Sequence, residues 1–227
     1  MTAHKILVTA GSTQIPIDRV RAISNIFKGR TGNNIAEFFA GQGYEVTLLT
    51  SSPERVNPHP GLQVIPFKTY DDLERELQKQ LSEHTFDAVI HSAAVSDYSV
   101  SEIYIQEADG TLTPIDRSAK VSSNHEKVFL ELRQTRKLID LMRTSWGFRG
   151  FLVKFKLQVG ITDDELIAIA QKSRATSAAD LCVANCLEWS NQRAYIVAER
   201  LTKQVNRDQI APAIEREFHA YLTRSDR

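Results

Sequence analysis

The chain has 227 residues, with 28 Lys and Arg against 28 Asp and Glu and 42% hydrophobic residues, which is enough apolar material for a sizeable core and excludes a disordered segment. Zero net charge without a basic run lacks the electrostatic footprint of a nucleic-acid binder, and apolar stretches of about five residues fall far short of the roughly 20 that span a bilayer. The first nine residues lack the apolar core and small-residue cleavage site of a signal peptide, so a cytoplasmic protein with neither nucleic acid nor membrane as partner is expected.

In chain order, residues 5–9 (Lys-Ile-Leu-Val-Thr) form a β-branched run that meets Ala10-Gly11-Ser12-Thr13, which predicts a buried strand ending in a small-residue loop. Ile35, Ala36, Phe38, Phe39 and Ala40 are spaced for a helix, Gly41 and Gly43 stop it, and residues 44–50 return to strand character. A turn with Pro53, Pro58 and Pro60 leads to a strand at 62–67. A helix follows, with Asp71 and Glu74 in capping-box spacing and Leu73, Leu77 and Leu81 on one face. Residues 86–91 are a further buried strand. This alternation predicts an α/β fold with a doubly wound, mostly parallel sheet and a ligand site at the carboxyl ends of the strands, namely residues 10–13, 50–52 and 92–97.

Residues 100–127 show no dominant period and predict a long irregular excursion, of the kind that is usually functional. Strand character resumes at 128–132, a helix follows at 135–143, and 150–155 is strand again. Thr162 and Glu165 form a capping box ahead of Leu166, Ile167, Ile169 and Ala170; residues 180–185 read as a strand, and 194–198 with 201–205 as a hairpin. The last helix, capped by Asn206 with Gln209, carries Ile210, Ile214 and Phe218. No repeat or flexible linker divides the chain, so one domain over residues 1–227 is expected.

Gly11, Ser12 and Thr13, followed by Asn25 and by Lys28-Gly29-Arg30-Thr31-Gly32 at a helix start, gather small residues, hydroxyls and two cations where a helix dipole points. Such a place suits phosphate, and it equally fits a glycine turn with solvated cations. Neither the dinucleotide fingerprint nor the P-loop appears, and Leu49-Thr50-Ser51-Ser52 has no acidic residue to hold an NAD ribose. An NAD(P)-dependent oxidoreductase is therefore a runner-up. In residues 91–98, His-Ser-Ala-Ala-Val-Ser-Asp-Tyr, the small side chains of Ala93 and Ala94 admit a base or ribose while Asp97 accepts hydrogen bonds; a close-packed turn is the other reading. His91 reads as a satisfied semi-buried histidine, Lys154, Lys156 and Lys172 as solvated lysines, and Cys182 and Cys186 as reduced, inert thiols.

Taken together, Thr9-Ala10-Gly11-Ser12-Thr13, the segment from Pro16 to Asn25, Ala93-Ala94-Val95-Ser96-Asp97-Tyr98 and Lys120-Val121-Ser122-Ser123 resemble phosphopantothenate–cysteine ligase, also called phosphopantothenoylcysteine synthetase. Phe155-Lys156-Leu157, Ala170-Gln171-Lys172 and the run from Ala179 to Asn185 extend the resemblance across nearly the whole chain, whose length is similar to that of the free-standing bacterial form. The resemblance implies a Rossmann-like fold, a homodimer, and ligation of 4′-phosphopantothenate to cysteine through an acyl-nucleotide for coenzyme A biosynthesis. CTP, or ATP, would be co-substrate with Mg²⁺, and a separate flavin-dependent decarboxylase would act downstream. It places Gly11, Ser12, Thr13, Ala93, Ala94 and Asp97 on the nucleotide, Phe155 against its base, and Lys120 and Lys172 on its phosphates. Arg21 and Asn25 fall in the acyl-intermediate site, Asn25, Arg21 and Lys120 are the catalytic candidates, and Lys120 lies in a flap; no protein ligand is assigned to the metal.

The sequence departs from the family pattern where the polyphosphate is expected. Gly-Gly-Thr is Gly11-Ser12-Thr13, Phe27-Lys28 replaces a serine pair, Arg136 replaces a proline, and an expected second lysine is Thr176 or Ser177. Lys28 or Arg174 would compensate; the alternatives are another nucleotide, weaker catalysis, or a non-catalytic nucleotide-binding paralogue.

Overall fold

The computed structural model describes residues 3–116, 118 and 120–225; the other positions, including Arg117 and Ala119 of the 100–127 segment, lie outside the described residues. The apolar run that opens the chain becomes the central strand β1 (Lys5–Ala10), between parallel strands β4 (Glu45–Thr50) and β6 (Ala88–His91). Ile6 to Ala10 are all buried, as a strand covered on both faces requires. β5 (Leu62–Pro66) extends the sheet beyond β4, and β10 (Phe151–Gln158) and β11 (Leu181–Cys186) extend it beyond β6, all parallel. The hairpin of β12 (Arg193–Val197) and β13 (Thr202–Asn206) adds two antiparallel strands, giving the order β13-β12-β11-β10-β6-β1-β4-β5.

Helix α1 (Arg30–Gly41) carries the chain from β1 to β4 over one face, whereas α2 (Tyr70–Glu83) returns it from β5 to β6 over the other. The winding therefore reverses between β1 and β6, and the carboxyl ends of these two strands are the switch point at which open α/β sheets bind ligands. Strand alternation sorts the core. Ile6, Val8 and Val153 meet Ile35 and Phe39 of α1 and Ile214 and Phe218 of α5 (Ile210–Ser225). Leu7, Val89 and Leu152 meet α2 and α3 (Leu138–Thr144), and Cys182 and Ala184 meet Leu166 and Ala170 of α4 (Asp163–Thr176).

Several expectations need correction. The 100–127 excursion is not irregular throughout: β7 (Tyr98–Gln106) and β8 (Leu112–Pro114) pair through the Asp109-Gly110 turn. β9 (Val128–Gln134), a strand as expected at 128–132, pairs with β7 rather than with the main sheet, and the three strands form a separate antiparallel sheet. A bulge between Val100 and Glu102 breaks the alternation of β7, and its inward residues Val100 and Ile103 bury against Val121, Ile15 and Ile17. A small hairpin of β2 (Gln14–Pro16) and β3 (Ala22–Ser24) was also not foreseen.

The cap of α2 is Thr69 with Asp72, since extended Thr69 precedes the first turn that already contains Asp71. Asn206 makes no capping bond; a short 3-10 turn over Arg207–Gln209 precedes α5. Thr135 does not start α3, because its N–H and Oγ1 donate to Asp97 O (2.9 Å) and Ser96 O (2.7 Å) and hold it extended. The Thr162 and Glu165 capping box forms as expected.

Candidate active site

The switch point is built from loops whose backbones touch. Gly11 has φ +87°, and a Cβ there would lie 2.0 Å from Ser51 Oγ; Gly29 has φ +77°, and its Cβ would lie 2.5 Å from the Gly11 nitrogen. Only glycine permits both the left-handed turn and that approach. Ala94 N donates to Gly11 O (2.8 Å), Thr13 N to Ala94 O (3.3 Å), and Ser96 N to Thr13 Oγ1 (2.9 Å). Gly11, Ser12, Thr13, Ala93 and Ala94 are thereby drawn into one seam. Ser12, an added side chain in the expected phosphate loop, turns aside: its Oγ meets Ser24 Oγ at 3.1 Å and donates to Asn25 O at 3.4 Å.

Beside the seam, α1 begins at Gly29 with no side-chain cap, so the N–H groups of Arg30, Thr31 and Gly32 lack intrahelical acceptors. Asn33, 2% exposed, accepts from Thr50 Oγ1 (3.1 Å) while its Nδ2 is buried without a partner. These unsatisfied donors, with Lys28 and Arg30 and the positive helix end, favour an anion. Sequence reading found the glycines and cations but missed Asn33, which looks like any polar residue in a helix.

The β2–β3 hairpin brings up the expected acyl-site residues. Asn25 Nδ2 donates to Ala94 O at 3.3 Å. Arg21 donates from Nε (3.0 Å) and Nη2 (2.7 Å) to Asp18 Oδ2 and from Nη2 to Val121 O. Asp18, buried and not singled out in the sequence, also accepts from the N–H groups of Val20 (2.8 Å), Arg21 (2.7 Å) and Val121 (3.0 Å). Burial pushes its carboxyl up, but those N–H groups and the guanidinium outweigh it and hold the pKa well below the usual carboxylate range. Asp18 thus pins the flap at Val121 to the hairpin, with exposed Lys120 next to the pin.

Asp97, expected on the nucleotide, forms an exposed ion pair with Lys137 at 2.6 Å. Phe155 is half-buried on the sheet face that α1 and α5 cover. Lys172 is exposed on α4 and makes no hydrogen bond or ion pair to the loops; the structure does not join it to the seam. Arg174 donates to Ala179 O (3.0 Å) and Gln171 Oε1 (3.4 Å).

His91 is buried with a hydrogen-bond partner, as expected: its Nδ1 lies 2.9 Å from Thr9 Oγ1, which also accepts from Ala93 N (3.1 Å). Burial, with the nearby Lys154 charge, pushes its pKa down to about 4. Both cysteines are buried and free, and burial pushes the Cys182 thiol up to about 11. Among the described residues no group of three or more His, Cys, Asp or Glu side chains is placed to hold a metal, and no helix is long and apolar enough to cross a membrane.

Known proteins share this fold. Residues 1–211 match the family model of the DNA/pantothenate metabolism flavoprotein C-terminal domain. The DNA/pantothenate metabolism flavoprotein from Streptococcus pneumoniae superimposes with a TM-score of 0.86 at 35% identity, covering 96% of this chain and 100% of that one. A Cab2 variant in complex with phosphopantothenate-cysteine shares the fold, with a TM-score of 0.77 and 18% identity over 99% of this chain and 89% of that one. The coenzyme A biosynthesis bifunctional protein CoaBC of Thermococcus kodakarensis is 34% identical over 191 residues, covering 83% of this chain and 42% of its own. The chain spans about two fifths of the length of the first curated relatives it matches. With its Rossmann-like sheet and with the family model matching nearly its full length, the chain belongs to the DNA/pantothenate metabolism flavoprotein C-terminal domain family.

Proposed function

We propose that this chain is a phosphopantothenoylcysteine synthetase, joining 4′-phosphopantothenate to cysteine for coenzyme A biosynthesis, with CTP preferred over ATP as co-substrate. The observation that carries the reading is the Asn25 Nδ2 to Ala94 O contact at 3.3 Å, which sets the acyl-site asparagine on the turn assigned to the nucleotide. A carboxylate does not accept an amine at neutral pH. The phosphopantothenate carboxylate therefore attacks the α-phosphorus and pyrophosphate leaves. The cysteine amine then attacks the acyl carbonyl, sheds its proton, and displaces the nucleoside monophosphate.

The uncapped start of α1 supplies donors for phosphate oxygens. Asn25 exchanges Ala94 O for the acyl carbonyl, and Arg21, held by Asp18, fixes the flap whose closure shields the mixed anhydride from water. The described residues form no protein cage for Mg²⁺, so the ion is assigned to the triphosphate as part of the co-substrate. A second copy of the chain is the proposed partner. Pyrophosphate release with Mg²⁺, cysteine and CTP or ATP tests the reading: release that requires phosphopantothenate is expected, and its absence with both nucleotides overturns it.

A further inference from the structure

Below the Ala93-Ala94 turn lies a charge for which the proposed reaction has no use. Lys154 of β10 is 8% exposed, and its Nζ donates to Ser177 Oγ (2.6 Å) and Ser173 O (3.0 Å) at the end of α4. Both acceptors are neutral, and Lys154 forms no ion pair among the described residues. Its register partners are His91 on β6 and Cys182 on β11, neither of which is an anion at neutral pH. Burial pushes the ammonium pKa down; Cys182 and Asp140 oppose that, and Lys156 and Lys137 add to it. Asp140, the acidic neighbour among these, has Oδ1 buried with no hydrogen-bond partner.

Buried lysines are rare unless paired, because an ammonium without a counterion in the interior is costly. Here the carbonyl end of α4 and Asp140 offset the charge without an ion pair, and Lys156 and Lys137 add like charge to it. Strand alternation puts Leu152, Lys154 and Lys156 on the α3 and α4 face, with Lys156 nearer the carboxyl edge. Lys137, whose Nζ already reaches Asp97 below the nucleotide turn, stands at the start of α3.

We propose that Lys154 binds the phosphate chain of the nucleoside triphosphate, with Lys137 and Lys156 completing a three-lysine cradle beside His91 and the Ala93-Ala94 turn. The proposal deepens the synthetase reading and rests on it. Ser177 is one of the two positions where an expected lysine is missing, and Nζ of Lys154 brings a charge to the same point from the neighbouring strand. Two of its protons are committed to Ser177 and Ser173; the third is free for a phosphate oxygen.

The test compares wild type with Lys154→Met and Lys154→Gln. It uses the rise in melting temperature given by CTP or ATP with Mg²⁺ alone, and the steady-state KM of each substrate. Removal of a buried charge that forms no ion pair among the described residues is expected to leave the unliganded melting temperature of Lys154→Met equal to or above that of wild type. The nucleotide-induced rise shrinks and the nucleotide KM increases about tenfold or more, whereas the KM for phosphopantothenate changes little. Lys154→Gln keeps a donor for Ser177 and is expected to lose nucleotide affinity in the same way, so a folding defect in Lys154→Met does not blunt the test. Wild-type nucleotide KM and melting shift in folded Lys154→Gln overturn the proposal. Absence of phosphopantothenate-dependent pyrophosphate release in wild type overturns the synthetase reading instead.

Discussion

Asn25 and Asp18 act on opposite sides of the hairpin, and each makes a distinct prediction. Asn25 is exposed, and its hydrogen bond to Ala94 O is long, so the amide is free to turn toward a bound carbonyl. Asn25→Ala is expected to activate the carboxylate but to couple cysteine about 100-fold more slowly, the scale of losing one donor to a developing oxyanion. Mass spectrometry would then find accumulated acyl-nucleotide, and unchanged product formation would remove Asn25 from the mechanism. Asp18 has a folded pKa below the ordinary 3.8, so its contribution is present above that value and is lost as pH falls through the folded pKa. The stability gap between wild type and Asp18→Asn should therefore be full at neutral pH and close progressively below about pH 4. Denaturation midpoints measured across that range check it, and a gap that widens in acid would contradict it. Asn25 was legible through its place in the family pattern. Asp18 was not, because its role depends on the N–H and carbonyl of Val121, a residue remote in sequence that only the fold brings near.

Among the elements, α1 joins chemistry and stability most directly, and its two terminal glycines should respond oppositely to the same change. Gly29 sits in the left-handed region against the Gly11 backbone, so Gly29→Ala is expected to cost at least about 1–2 kcal/mol from the backbone conformation alone, with a further loss from the 2.5 Å approach. Gly41 ends the helix with nothing within 4 Å of an added Cβ, and Gly41→Ala is expected to stabilise by about 0.5–1 kcal/mol. Urea denaturation of both variants reads the sign directly. The helices of the main sheet were legible where one face is buried with a steady period, as by Leu73 and Leu77 on α2, and its parallel strands because they are short unbroken buried runs, as Ile6 to Ala10 on β1. β7 escaped because the bulge at Val100 and Glu102 shifts its alternation, and much of its sheet remains exposed, which removes the apolar contrast that periodicity needs.

At the scale of the whole molecule, the unresolved account is the flap sheet's apolar surface. Leu112 (46%), Val128 (44%), Phe129 (41%) and Leu132 (46%) are exposed on β8 and β9, and Val20 (69%) and Ile26 (78%) are exposed on the hairpin segment pinned to it. Apolar residues scattered singly need no explanation, but large ones on both faces of one three-stranded sheet, Leu132 beside Val100 and Phe129 beside Tyr104, suit a partner that wraps its edge. The cluster inside the flap is small, built on Val100, Ile103 and Val121, and it leaves that apolar surface for the second copy proposed above. The proposed second copy would place one flap against another and tie closure over Lys120 to assembly. Light scattering after gel filtration is expected to give a dimer, and Phe129→Glu with Leu132→Glu a monomer. Because the flap holds Lys120 and the Asp18 pin, that monomer should retain its main-sheet stability in denaturation yet lose most of its ligation rate. A wild-type monomer that ligates at full rate would separate the flap's apolar surface from function altogether.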